Sequence, residues 1–345
     1  MVFGIMAGVL GSDLAIDIGT TNTCIYAKRQ GIVAHEPSVV ALQACRDGTQ
    51  VMLSVGEAAK EMIDKTPTHI CTVRPVQDGV VTDCELFQLL LTYFLRKATR
   101  RKRFRHLRVV IGVPSNSSSI EQRAVVEPAE AAGAHEVYLI KEPIAAALGA
   151  GLDIRLPYGR LVVDIGGGTT DIAIISLASL VYSKTLRLGG DAIDAAIVQH
   201  VRRKHGLVIG TPTAERLKIA LGSVLPCDAG RQSQIKGTDA LSGMPRAVAV
   251  SAADLHETLM DSMHTILDAI RGVLGMAPPE LLADIVEGGL ILAGGGALLS
   301  GLEAYMQEQL ALPVRTATNP MVCVALGSSY ALAAADLRSS VTIRF

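Results

Sequence analysis

Two stretches of the chain share one rhythm of apolar and polar positions. In "LAIDIGTTNTCIYA" (14–27) an apolar run ends in Asp-Ile-Gly, a Thr/Asn loop follows, and a second apolar run closes it. Half a chain later, "LVVDIGGGTTDIAII" (161–175) repeats the pattern with three glycines. Short, β-rich apolar runs on both sides of a polar glycine loop predict a β-hairpin with the loop at its tip. Further along, "LRVVIGVP" (107–114) predicts a buried strand ended by proline, and "DCELFQLLLTYFLRKA" (83–98) an apolar helix with Asp83 as N-cap. "EQRAVVEPAEAAGA" (121–134) predicts a helix blemished by Pro128. "VYLIKEPIAAALGAGL" (137–152) predicts a strand and then an Ala-rich helix opened by Glu-Pro, a place where proline is tolerated. "TAERLKIALGSV" (213–224) predicts a polar-faced helix, "LILAGGGALLSGLEAYMQEQL" (290–310) a strand, triple-Gly turn and helix, and "SSYALAAADLR" (328–338) a closing helix. The class is α/β, and the repeated hairpin implies two similar domains, each offering one loop to a shared cleft.

Composition narrows this. The 345 residues suffice for two domains, and 49% hydrophobic content allows a large core. With no Trp and 3% aromatics, that core rests on Ala, Val, Leu and Ile. A net charge of −1 excludes global attraction to nucleic acid or acidic lipid. Locally, "RKATRRKRFRHLR" (96–108) holds eight of the 32 Lys and Arg and no acid, a basic patch on an acidic body. The six cysteines form no CxxC pair, which suits a reducing cytosol. No apolar run reaches the roughly 18 residues that span a bilayer. The opening "MVFGIMAGVLG" is apolar and uncharged, runs straight into a strand, and does not read as a cleaved signal peptide.

The loops point to phosphate. Glycines let backbone N–H groups approach an anion, and Thr or Asn side chains add donors. A P-loop needs a Lys after its glycines and a following helix, and a dinucleotide-binding turn also leads into a helix; here strands follow. Without Lys, a Mg²⁺ held near Asp17 and Asp164 through its waters would offset the phosphate charge. Two tight turns without a ligand are the plain alternative; an Asp at the same place in both loops argues against it.

Together with "KEPIAAALGAG", "TAERLKIALG", "GIVAHEPSVVA" (31–41), "RPVQDGVVTD" (74–83) and "PPELLADIVEGGLILAGGGALLSGL" (278–302), these cassettes resemble the actin-like ATPases, and among them the MreB family of bacterial actins. The resemblance implies two ribonuclease-H-like domains flanking a nucleotide cleft. An apolar segment (1–12) would precede domain I (13–155 with 322–345) and domain II (156–321). It implies ATP and Mg²⁺ as cofactors, with Asp17 and Asp164 around the metal. Gly19, Thr20, Thr21, Asn22 and Thr23 would form the first phosphate loop, and Gly166, Gly167, Gly168 and Thr169 the second. Glu142 would orient the attacking water with Thr169 as helper, Glu215 and Lys218 would reach ribose and adenine, and Gly294, Gly295, Gly296 and Ala297 would lie beside the α-phosphate and base.

The sequence departs from the family pattern at four places: Lys141 stands where Glu is usual, Asp171 where Glu is usual after the two threonines, "PSNSSSIEQRAVV" (114–126) replaces a more apolar loop and a second Arg, and "NPMVCVALGSSYAL" (319–332) lacks the usual basic and Gly-rich character. A chaperone-type ATPase would need a peptide-binding domain after the ATPase. A metabolic kinase of the same superfamily, the alternative function, usually activates its substrate with an Asp. The expectation is therefore a weak ATPase assembling head to tail into filaments, with paired protofilaments, that organise cell shape and cell-wall synthesis. The 1–11 segment and the 96–108 run together predict attachment to the anionic inner membrane surface. Cell-wall elongation membrane proteins are the implied partners, and nucleic acid is not expected.

Overall fold

The structure, a computed structural model, describes residues 13–28, 30–45, 49–99, 106–226 and 230–345. The apolar N-terminal segment and the centre of the basic run, 100–105, lie outside the described residues.

The duplication read from the hairpins extends to whole sheets. In the first, the strands Gly31–Pro37, Asn22–Ala27 and Asp13–Ile18 form an antiparallel meander, and Arg108–Val113 and Glu136–Lys141 continue it in parallel. In the second, Ser179–Leu186, Thr170–Ser176 and Arg160–Ile165 form the meander, continued in parallel by Leu290–Ala293 and Val314–Thr316. The first sheet gains one more strand, Thr342–Arg344, so the C-terminus returns to it.

Strand alternation sorts the side chains into layers. Leu161, Val163, Ile165, Ile172 and Ile174 face an outer layer that includes the helices Gly190–His205, Thr211–Leu221 and Ala252–Leu274, whereas Val162, Ala173 and Ile175 face a middle layer. The first sheet sends Val110, Tyr138 and Ile140 into that same middle layer and backs its other face with Cys84–Ala98 and Ser119–Ala131. The middle layer is built on two helices, Glu142–Gly149 and Cys323–Ala333. They touch backbone to backbone: a Cβ on Gly149 would lie 2.0 Å from the Cys323 carbonyl oxygen, and one on Gly327 1.8 Å from that of Ala145.

Local signals act as read. The Asp83 carboxylate accepts the Leu86 N–H at 2.9 Å. Ser118 and Glu121 form a reciprocal capping box, which moves the start of the 121–134 helix to Ser119. The closing helix is corrected: Cys323–Ala333 and Ala335–Val341 are separate, with 119° between the 320–333 segment and the second helix. Ala334 between them is extended, which turns the chain so that Thr342–Arg344 can pair with Tyr138–Ile140. Two small three-stranded sheets were not anticipated, Val40–Ala44 with Gln50–Val55 and Ile70–Val73, and Leu207–Val208 with Gln232–Asp239 and Pro245–Ser251. Gln232–Asp239 is largely exposed and carries no apolar alternation to read. Among the described residues, no single helix is long and apolar enough to cross a membrane.

Candidate functional site

The two hairpins match residue for residue. Asp17 pairs with Cys24 and Ile18 with Thr23; Asp164 pairs with Asp171 and Ile165 with Thr170. Each tip closes with the same turn bond, Gly19 N–H to the Asn22 carbonyl at 3.0 Å and Gly166 N–H to the Thr169 carbonyl at 2.8 Å. The tips meet and interlock. A Cβ on Gly167 would lie 1.9 Å from Thr21 Oγ1, and one on Gly168 2.5 Å from Thr20 Oγ1. The threonines of the first loop fill the room that the bare glycines of the second leave. Gly190 and Asp191 back the second loop, donating their N–H groups to the Gly166 and Gly167 carbonyls.

Between the halves lies a cavity of ≈ 460 Å³. Its lining brings together Asp17, Gly19, Thr20, Thr21, Asn22, Glu142, Asp164, Gly166, Gly167, Gly168, Thr169, Glu215, Lys218, Gly294, Gly295 and Gly296. Two anticipated residues do not line it. Thr23 is fully buried with its hydroxyl 2.8 Å from Ser38 Oγ, just as its counterpart Thr170 donates to the Leu188 carbonyl at 2.6 Å. Alternation turns that position away from the loop tip. Ala297 points into the outer core of the second sheet. Gly294, at φ 77°, packs so tightly that a Cβ there would lie 2.3 Å from the Ile165 carbonyl oxygen and 2.4 Å from Asp164 Oδ1.

The cleft floor concentrates acid. Burial pushes the Asp17 carboxyl up to about 7. Burial, then the charges of Asp17 and Asp171, raise Asp164 well above the ordinary range. Glu142, first residue of its helix, is raised well above its usual value by desolvation and then by Asp171, Asp17 and Asp164, with Lys141 opposing. Carboxylates that raise one another in this way fit a divalent cation. Among the described residues, no group of three His, Cys, Asp or Glu is placed to hold an ion directly. Asp171 is satisfied differently. Its Oδ1 accepts the Ser115 N–H at 3.0 Å and the Thr185 hydroxyl at 2.7 Å, while its Oδ2 has no hydrogen-bond partner among the described residues.

Glu215 and Lys218 do not pair with each other. Glu215 takes Lys60 from the other half at 2.9 Å, and Lys218 lies 2.9 Å from Asp194 and donates to the Gly190 carbonyl at 2.8 Å. Burial raises Asp194 to about 6, with Lys218 pulling it back. Asp191, Asp194, His35, Gly79 and Arg231 also line the cleft and were not anticipated. The Gly-Gly-Asp start of helix Gly190–His205 is the signal that could have found Asp191; His35 and Arg231 carry none.

The MreB/Mbl protein family matches residues 11–340. The cell shape-determining protein MreB of Escherichia coli (strain K12) is 43% identical over 332 residues, 96% of each chain. The cell shape-determining protein Mbl of Bacillus subtilis (strain 168) is 43% identical over 320 residues, 93% of this chain and 95% of its own. Among solved structures, MreB5 of Spiroplasma citri, in ADP-bound and AMPPNP-bound forms, aligns with a TM-score of 0.87 at 34% identity, covering 93% of this chain and 96% of that one. A MamK filament structure, at 23% identity and a TM-score of 0.78 over 93% of this chain and 98% of its own, shares the fold. The fold is actin-like, and the chain belongs to the MreB/Mbl family of cell shape-determining proteins.

Proposed function

We propose that the chain binds ATP with Mg²⁺ in this cleft, hydrolyses it slowly, and assembles head to tail into filaments on the inner face of the cell membrane. The observation that carries this is the pair of in-register loops meeting over one cavity, each with an acid at its base. Backbone N–H groups of both loops would hold the phosphates, and Asp17 and Asp164 would hold the cation through water. The cation, when bound, supplies charge compensation at the phosphates. Glu142 would orient the attacking water, with Thr169 beside it, and the wall formed by Glu215, Lys218 and Gly294–Gly296 would take ribose and base. The relatives bound to ADP and AMPPNP support a nucleotide in the cleft. A ligand joining both halves favours the closed form, and closed subunits stacking through unlike faces give an open-ended filament. The domains would divide as 13–155 with 322–345 and 156–321. Membrane attachment would come from residues 1–11 and the 96–108 run.

Pelleting and electron microscopy with Mg-ATP, beside phosphate release, test the reading. Wild type should pellet as filaments. Asp164→Ala should lose nucleotide affinity, and Glu142→Ala should bind yet release phosphate slower by roughly 10²-fold or more. A chain that stays monomeric with Mg-ATP across salt and anionic lipid conditions overturns it.

A further inference from the structure

Lys141 closes the strand Glu136–Lys141 and is the N-cap of the helix that begins with Glu142, yet its side chain makes no capping bond. It runs instead to the loop after Arg108–Val113. Its ammonium donates to Ser117 Oγ at 2.8 Å, to the Pro114 carbonyl at 3.3 Å and to the Ser117 carbonyl at 3.5 Å. An ammonium offers three protons, and three acceptors are in reach. The loop is itself held. Ser117 N–H donates to the Pro114 carbonyl at 3.1 Å, and Gln122 Nε2 to the Ser117 carbonyl at 3.0 Å. Two residues before Ser117, Ser115 N–H grips Asp171. One short loop therefore fixes both Lys141 and Asp171, the two charged groups outside the cleft lining that act on Glu142.

Two of the departures from the family pattern thus meet in one contact. A half-buried ammonium needs acceptors; two of its three are backbone carbonyls that any sequence supplies, and the third and shortest is the Ser117 hydroxyl, which an apolar loop would lack. Lys141 does not line the cleft.

We propose that Lys141 and Ser117 form a coupled pair that positions Glu142: the ammonium, anchored on the 114–117 loop, fixes the start of the helix that Glu142 opens. This role rests on Glu142 orienting the attacking water. Phosphate release and nucleotide affinity are measured for the full chain and for E142Q, K141M, K141R, S117A and K141M/S117A. K141M keeps the length of the side chain without its charge. It should hold nucleotide affinity within about two-fold while kcat falls roughly 10-fold, the scale of a misplaced catalytic group. K141R, which keeps the charge and can reach the same acceptors, should recover most of kcat. S117A should slow turnover less than K141M, and the double variant should be no slower than K141M, because the two residues act through one contact. Wild-type turnover in K141M, a K141R as slow as K141M, multiplicative losses in the double variant, or lost nucleotide affinity in K141M each overturn the pair. E142Q separates the two levels: slow E142Q beside wild-type K141M removes only the positioning role, whereas wild-type turnover in E142Q removes the role of Glu142 and the pair with it.

Discussion

The first and second loop hairpins share register, turn bond and the position of an acid, but they are not copies in chemistry. The first tip carries Thr20 and Thr21, and the second carries Gly167 and Gly168 at the equivalent places. Where the loops meet, side chains from one occupy the space that the other leaves open. Opposite the acid, the first hairpin has a buried thiol, Cys24, and the second a buried carboxylate, Asp171. Register partners on adjacent strands share a face, so the second hairpin sets two acids side by side, and Ser115 and Thr185 supply a polar shell for one of them, Asp171. Duplication of a fold unit therefore does not duplicate its role: one loop supplies side chains, the other supplies room and bare backbone.

The largest effect should come from filling that room. Gly167→Ala places a methyl against Thr21 and must push the halves apart. Overpacking of this kind costs about 1–3 kcal/mol, which is roughly 5- to 150-fold in affinity. Fluorescent-nucleotide titration should show that loss, and Thr21→Gly in the same chain should recover part of it by removing the opposing side chain. Wild-type affinity in Gly167→Ala would show that the interlock is dispensable.

Next come the residues opposite the acids. Asp171→Ala leaves the Ser115 N–H and the Thr185 hydroxyl without their acceptor and should destabilise the chain by about 1–3 kcal/mol in urea denaturation. Cys24→Ala removes only a small apolar group and should cost about 1 kcal/mol or less. The reverse order would refute the assignment of a polar shell to one hairpin and an apolar one to the other. The thiol offers a second check. Burial, then the Asp17 charge, pushes Cys24 up to about 12, so it stays protonated and unreactive at pH 8. Iodoacetamide should label the exposed Cys71 and Cys84 well before Cys24.

Much of this was legible because the information is local. An Asp seven residues before its register partner defines each hairpin, and glycine content marks each tip. What a contiguous motif does not reveal is which face a residue takes. Thr23 belongs to the first cassette yet faces Ser38, and Ala297 belongs to the triple-Gly turn yet faces the core. Alternation along Asn22–Ala27 could have excluded Thr23. Partners far apart in sequence were out of reach altogether. The Lys218–Asp194 and Glu215–Lys60 contacts depend on the packing of helix Thr211–Leu221, and the Lys141–Ser117 contact on the pairing of Arg108–Val113 with Glu136–Lys141. Each small sheet contains a largely exposed strand, Gln50–Val55 or Gln232–Asp239, without the burial alternation that marks a half-buried strand.

The smallest effect concerns how the halves are held beyond the loop tips. Asp191 backs the second loop through its N–H, while its carboxylate takes Arg74 at 2.6 Å and Thr21 Oγ1 at 3.5 Å, both from the first half. Lys60 and Glu215 make a second bridge at 2.9 Å. All four charged side chains are between 23% and 31% exposed, so solvent screens both pairs and each contributes no more than about 1 kcal/mol. Closure then depends chiefly on the interlocked tips, with the ion pairs trimming the rate of opening. Arg74→Ala should speed release of a fluorescent nucleotide by about two- to five-fold at low salt, the equivalent of that energy. The difference should shrink as salt rises, because added ions compete for and screen partly exposed ion pairs. Lys60→Ala should act in the same direction and add to Arg74→Ala, since the two bridges share no partner. Release rates that are unchanged in the double variant at low salt would leave the loop tips as the whole of the clasp. A loss larger than that of Gly167→Ala would invert the ranking and make the ion pairs, not the matched hairpins, the element that joins the two halves.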